Sequence, residues 1–259
     1  MSEFLQINKL SYLHNSKNIL FCKTDFLLSC FSHISRMGND VVLITGNSDH
    51  SITEQIFNSK PPNVKAWFAQ NMDFSGPGAH AIPIGLENTI ECRLTNHGEV
   101  WPHAQGKHSA LMNHTSKLPS KKLYANFSLN THPERQKVYS IVKNLDYVTK
   151  NINELHSEIN KKSYDAFISE IIDHEFVLCP RGNGIDSHRV WETLYLNRTP
   201  IVKKEIAMNY FNDLPIIFID DWQEVCDLKH IYNLYSKVKS NSREKLSCKY
   251  WEDKILSCM

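Results

Sequence analysis

No apolar stretch in this 259-residue sequence approaches the roughly 18–20 residues that cross a bilayer. The opening Met-Ser-Glu-Phe-Leu-Gln also lacks a basic region followed by an apolar one, so neither a membrane span nor a leader is expected and the expected compartment is cytoplasmic. Net charge is nearly absent: 29 Lys and Arg stand against 28 Asp and Glu, leaving +1. No overall field then points to nucleic acid or an anionic membrane as partner, and any anion site must be local. The 9 Gly and 10 Pro are too few for collagen-like or linker sequence. No Cys-x-x-Cys pair occurs among the 7 Cys, and several sit in apolar runs such as 19–22 and 176–179. They read as buried free thiols in a reducing compartment and not as a disulfide frame. What is present is 41% hydrophobic, 10% aromatic and 22% charged residues, the proportions of a folded globular protein with one large domain or two small ones.

Short β-branched and aromatic runs at 18–21 and 41–45 flank a helix-like stretch at 26–36, a βαβ unit. Further strands are expected at 66–69 and 81–84, with Pro61-Pro62, Gly76-Pro77-Gly78 and Pro83 marking turns. Residues 97–122, rich in His, Gly, Lys and Ser, carry little periodicity and read as a surface excursion. A second series follows: strand 122–128, helix 133–144, a weak strand at 147–148, helix 163–173, strand 175–179, helix 188–196, strands 200–202 and 215–219, then mostly helix from Trp222 onward. Repeated β-α-β order predicts an α/β protein with parallel sheets, built as two Rossmann-like domains facing across a cleft. The expected divisions are an N-terminal Rossmann-like domain at 1–119, a C-terminal Rossmann-like domain at 120–239, and a C-terminal helix at 240–259 packing back across the seam. Ligands of such sheets bind beyond the carboxyl ends of the strands.

The most informative segment is 175–202. A buried strand empties into Arg181-Gly-Asn-Gly-Ile-Asp-Ser187, and a helix begins at His188-Arg189. Ser187 is expected to cap that helix, whose free N–H groups and dipole attract an anion, while Gly182 and Gly184 permit close backbone approach. Arg181 adds a forked donor that suits a diphosphate. Glu192 lies about one turn beyond His188, where its carboxylate can accept from ribose hydroxyls.

This block resembles the nucleotide-sugar block of exostosin-like glycosyltransferases, including the xylosyltransferase branch of dystroglycan glycosylation and large-virus glycan synthesis. Asp213–Trp222 is similar to that family's following strand and turn, and Cys22–Asp25, Ile44–Asp49 and Ile82–Leu86 are similar to its acceptor-side half. The resemblance covers most of 18–225. It implies a GT-B fold, inversion at the anomeric carbon, and transfer from a UDP-sugar, with UDP-xylose favoured over UDP-glucuronic acid or UDP-galactose, to a hydroxyl of a glycan or glycoprotein acceptor. On this likeness Arg181, Gly182, Asn183, Gly184, Asp186, Ser187, His188, Arg189 and Glu192 hold the donor, and Asn126, Ser128 and Arg135 are further donor contacts. Arg135 reads equally as a solvated helix residue, and Asp186 and His188 either touch the sugar or order the loop.

Inversion needs a base from the opposite wall. Asp25, Asp49 and His50 are the candidates, with Asp25 slightly favoured because it follows the first strand. No metal is expected, since His97, His103, His108 and His114 lack ligand spacing and Asp220-Asp221 reads as a turn. No obligatory cofactor is expected beyond the donor itself. The aromatic residues Trp222, Tyr232, Tyr235, Tyr250 and Trp251 read as core. The rival readings are a non-catalytic nucleotide-sugar or glycan-binding module, and an α/β enzyme with a Ser or Cys nucleophile. The second lacks a Gly-x-Ser-x-Gly elbow, and Cys179 reads as buried.

Overall fold

The computed structural model describes residues 4–14, 18–89, 104–152, 161–238 and 243–259, with backbone alone at 104–105 and 161–163. Each half of the chain builds one parallel sheet. In the N-terminal half β1 (Ile19–Lys23), β2 (Val41–Gly46), β4 (Val64–Ala69) and β6 (Ala79–Ala81) stand in the order β1-β2-β4-β6, beside a two-strand ladder of β3 (Ile52–Thr53) and β5 (Met72–Asp73). Every residue of β2 is buried, which is why Val-Val-Leu-Ile reads as an unbroken apolar run and not as an alternation. Helix α1 (Leu27–Ile34) buries Leu27, Phe31 and Ile34, and α2 spans Glu54–Asn58. Between them Trp67 of β4 lies 5.4 Å from the Phe31 ring and stacks on Phe57 at 5.7 Å. Its indole N–H donates to Thr45 Oγ1 at 2.9 Å, so this fully buried ring leaves no unmet polar atom.

In the C-terminal half β7 (Lys121–Ala125), β8 (Val148–Lys150), β9 (His174–Leu178), β10 (Thr199–Lys203) and β11 (Ile217–Ile219) form a parallel sheet in the order β11-β10-β9-β7-β8. Helices α4 (Pro133–Val142), α5 (Lys161–Asp173) and α6 (His188–Tyr195) connect them, α7 (Ile206–Asn209) follows β10, and α8 (Leu228–Ser236) and α9 (Cys248–Leu256) close the chain. Proline at the start of α4 costs no hydrogen bond, and His132 caps the helix by accepting from Glu134 N–H.

One buried apolar cluster runs through both halves, from Ile19 and Trp67 to Trp191, Phe211 and Trp251, while a second lies within the C-terminal half. The N-terminal strap is stitched to both halves. Phe4 bridges Ser247, Gln6 bridges Gly85, and Leu86 N–H donates to Leu5 O at 2.9 Å. Gly85 has φ +68°, and a Cβ there would lie 2.2 Å from Leu5 O, so this approach requires glycine. Helix α9 packs on the 3-10 turn Ile7–Leu13. Among the described residues no helix is long and apolar enough to cross a membrane.

The segment read as a surface excursion differs: it contains helix α3 (Ala104–Met112), which packs on α5. Its sequence shows no apolar stripe: among its described side chains Leu111 alone is fully in the core, and Lys107 adds ion pairs to Glu87 and Glu192. Strand 81–84 is displaced to β6 at 79–81, consistent with Pro83 lacking a ladder donor. Trp222 and Trp251 are buried, but Tyr235 is exposed, with one ring edge on Phe176. His97, His103 and Cys92 lie outside the described residues.

Candidate functional site

The loop 181–187 hangs from the carboxyl end of β9 and is held from both halves. From below, Arg135 donates through Nε to Arg181 O at 2.8 Å and through Nη1 to Ser128 O at 3.3 Å, and Arg181 N–H donates to Glu134 Oε1. A Cβ on Gly182 would lie 3.3 Å from Arg135 Nη2, and one on Gly184 would lie 2.9 Å from Asn71 Nδ2 and 3.2 Å from Asp49 Oδ1. Both glycines thus serve close approach. From across the seam, Asp186 accepts from Ile84 N–H and from Trp191 Nε1, each at 2.7 Å, and its own N–H donates to Asn71 Oδ1 at 2.8 Å. His188 Nδ1 meets Gly85 O at 2.8 Å. Asp186 and His188 therefore order the loop and tie it to the N-terminal half. Burial pushes the Asp186 carboxyl up to about 7 even though its donors oppose the shift.

The cations divide by how they are used. Arg181 wraps onto its own loop, donating to the Asn183 carbonyl at 3.0 Å and pairing with Glu205 at 3.4 Å. Arg135 is buried, not solvated; burial first, then the neighbouring Arg189, lowers its pKa to about 10. Arg189 makes no side-chain hydrogen bond or ion pair among the described residues: its Nε is buried without a partner, and its guanidinium lies 5.8 Å from the Phe167 ring. The hydroxyls of Ser128, Thr131 and Ser187 are likewise buried without protein partners. Ser187 sits at the N-cap of α6 with extended backbone, yet its side chain makes no capping bond. The expected side-chain cap is thus not formed. An unpaired guanidinium with a buried Nε, together with unpartnered hydroxyls in the nearby loops, suits an anion.

Glu192 is 2% exposed and its Oε1 lies 2.5 Å from Lys107 Nζ, which also lies 3.0 Å from Glu87 Oε1. Burial works against the Lys107 charge, yet Glu192 and Glu87 hold its pKa above the ordinary value. Asn126 and Asn151 both donate from Nδ2 to the Tyr124 phenol, at 2.8 and 3.2 Å, at the carboxyl ends of β7 and β8. Among the base candidates, Asp25 lies in the exposed turn Thr24–Phe26 with Lys23 Nζ at 3.7 Å. Asp49 and His50 are exposed in the loop after β2, and Asp49 is the one set against Gly184.

No family model matches the chain, and no curated protein matches it. Solved structures do. A crystal structure of α1,3-fucosyltransferase aligns at TM-score 0.47 and 14% identity, over 93% of this chain and 76% of that one. A crystal structure of α1,3-fucosyltransferase with GDP aligns at TM-score 0.44 and 13% identity, over 95% of this chain and 78% of that one. The fold itself is α/β, with a parallel sheet in each half and strand-end loops lining the seam between them.

Two further groups bear on the rival readings. Cys179 is buried, and burial pushes its thiol up to about 12, which leaves it protonated and inert at neutral pH. Asp221 caps the turn Trp222–Cys226 and pairs with Lys137 at 2.8 Å, a structural turn. Among the described residues no group of three or more His, Cys, Asp or Glu is placed to hold a metal. Sequence reasoning missed Lys107, Thr131 and Asn71. Asn71 carried a signal in the polar pair Gln70-Asn71 closing a buried strand, whereas Lys107 had none, because its two carboxylate partners are remote in the chain.

Proposed function

We propose that this protein is an inverting glycosyltransferase that takes a sugar from a nucleoside-diphosphate donor to an acceptor hydroxyl. The observation that carries the reading is the Arg189 guanidinium, unpartnered among the described residues at the start of α6 and near Arg135, with the unpartnered hydroxyls of Ser128, Thr131 and Ser187 in the loops beyond the carboxyl ends of β7 and β9. That set supports binding of a diphosphate. In transfer, the acceptor oxygen attacks the anomeric carbon as its bond to the diphosphate oxygen breaks. The departing negative charge falls on Arg189 with Arg135 behind it, and the acceptor proton passes to a carboxylate of the opposite wall. Asp49, set against Gly184, is placed better for this than Asp25 or His50.

The resemblance in the 175–202 block favours UDP as the nucleotide and xylose as the sugar. Incubation with UDP-xylose, UDP-glucuronic acid, UDP-galactose and a GDP-sugar, with simple glycosides as acceptors, tests this by nucleotide release and by the anomeric configuration of the product. Transfer with inversion from one donor is expected, and it should persist in excess chelator because the arginines supply the neutralising charge. Nucleotide-sugar binding without any turnover would instead favour a binding module. Activity abolished by chelator and restored by Mn²⁺ would contradict the metal-independent form of the proposal.

A further inference from the structure

Lys107 is half-buried, its side chain 14% exposed, and it comes from a helix that belongs to neither sheet. Its ammonium sits between Glu192 Oε1 at 2.5 Å and Glu87 Oε1 at 3.0 Å. Phe167 lies beside it, 5.8 Å from Nζ, and the Arg189 guanidinium is also 5.8 Å from that ring. The ammonium thus bridges the buried Glu192 carboxylate and the half-buried Glu87 carboxylate. Buried carboxylate oxygens are costly unless they accept hydrogen bonds. Glu192 lies three positions after Arg189 on α6, and residues so spaced share a helix face. With Lys107 holding Oε1, no hydrogen bond to Glu192 Oε2 is present among the described residues.

A vicinal diol offers the two O–H donors that such a carboxylate lacks, and in a nucleoside diphosphate the ribose follows the phosphates directly. We infer that Lys107 is a positioning residue for the donor: it pins one oxygen of Glu192 so that the other accepts from the ribose hydroxyls of a nucleotide whose diphosphate lies on Arg189. This rests on the donor-site reading above. The consequence is specificity for ribonucleotides set partly from outside the sheet that carries the donor loop.

The test is calorimetric titration of the full chain with UDP, GDP, their 2′-deoxy counterparts and UMP. Wild type should prefer the ribonucleotide over its 2′-deoxy form by about tenfold, the effect of one hydrogen bond to a charged group. Glu192→Gln and Lys107→Met should both bring that ratio near unity while leaving the diphosphate-over-monophosphate preference in place. Because Lys107→Met removes the cation beside Glu192 and Glu87, the charge-balanced double variant Glu87→Gln/Lys107→Gln is the companion, with the same loss expected. A folded Lys107 variant that keeps the wild-type ribose preference overturns the inference alone. A wild type that binds no nucleoside diphosphate overturns the donor reading, and the inference with it.

Discussion

Beside the donor loop, the N-terminal half presents a set of linked amides, whereas the C-terminal half presents ions. Asn88 Nδ2 donates to Asn47 Oδ1 at 2.9 Å, Asn47 N–H to Gln70 Oε1 at 2.9 Å, and Asn71 Nδ2 to Ser48 O at 3.2 Å, while Asn47 Nδ2 also meets Asn8 Oδ1. Facing them are Arg135, Arg181, Arg189, Glu134 and Glu205. Amides satisfy one another without a net charge to desolvate, so they can fix loops permanently. Arg189 is satisfied by no hydrogen bond or ion pair among the described residues. In the proposed reading the neutral wall would take an uncharged hydroxyl compound and the cationic wall an anion.

The sharpest way to break this comparison is at the one carboxylate that the neutral wall presents to the donor loop. Asp49→Asn should lower turnover by about 10²- to 10⁴-fold with nucleotide affinity kept, measured as initial rates beside calorimetric affinities. Asp25→Asn should change little, and the reverse pattern would move the base to the end of β1. Next in size is Asp186, which links the walls. The folded chain holds its proton more tightly than the unfolded chain does, with a carboxyl near 7 against an ordinary value near 4. Its contribution is therefore fully present below about pH 4 and lost as pH rises to about 7, a change of roughly 3–4 kcal/mol. Urea denaturation between pH 4.5 and 7.5 should show wild type losing stability relative to Asp186→Asn across that window.

Arg189→Ala should weaken nucleoside-diphosphate binding about 100-fold, as expected for a forked charged contact, without lowering the melting temperature. Smallest is Asn71→Ala, which removes the bonds to Ser48 O and Asp186 N–H and should cost about 1–3 kcal/mol. Faster hydrogen exchange at the Asp186 amide would place that loss at the seam, and unchanged exchange there would argue that the walls are held elsewhere.

Much of the fold was legible because parallel, doubly covered strands leave apolar runs bounded by polar turns, as at 41–46 and 174–178. Helix α3 was not legible, since its anchor is one ion pair to remote carboxylates and its face has no period. At the site, the block 181–192 was readable as a phosphate-binding junction from its glycines and arginines. Which arginine is free was not: Arg181 and Arg189 look alike in sequence, and Glu205, brought beside Arg181 by β10, makes the difference. Nor could residue order alone show that Gly184 meets Asp49 and not Asp25, because that choice depends on how the two sheets face.

The measurement that bears most directly on the central claim is titration of wild type and Arg189→Ala with UDP, GDP and UMP at low salt. One diphosphate should bind wild type more tightly than UMP does and about 100-fold more weakly to the variant. Equal affinity of the two proteins would contradict the cationic wall as a donor site.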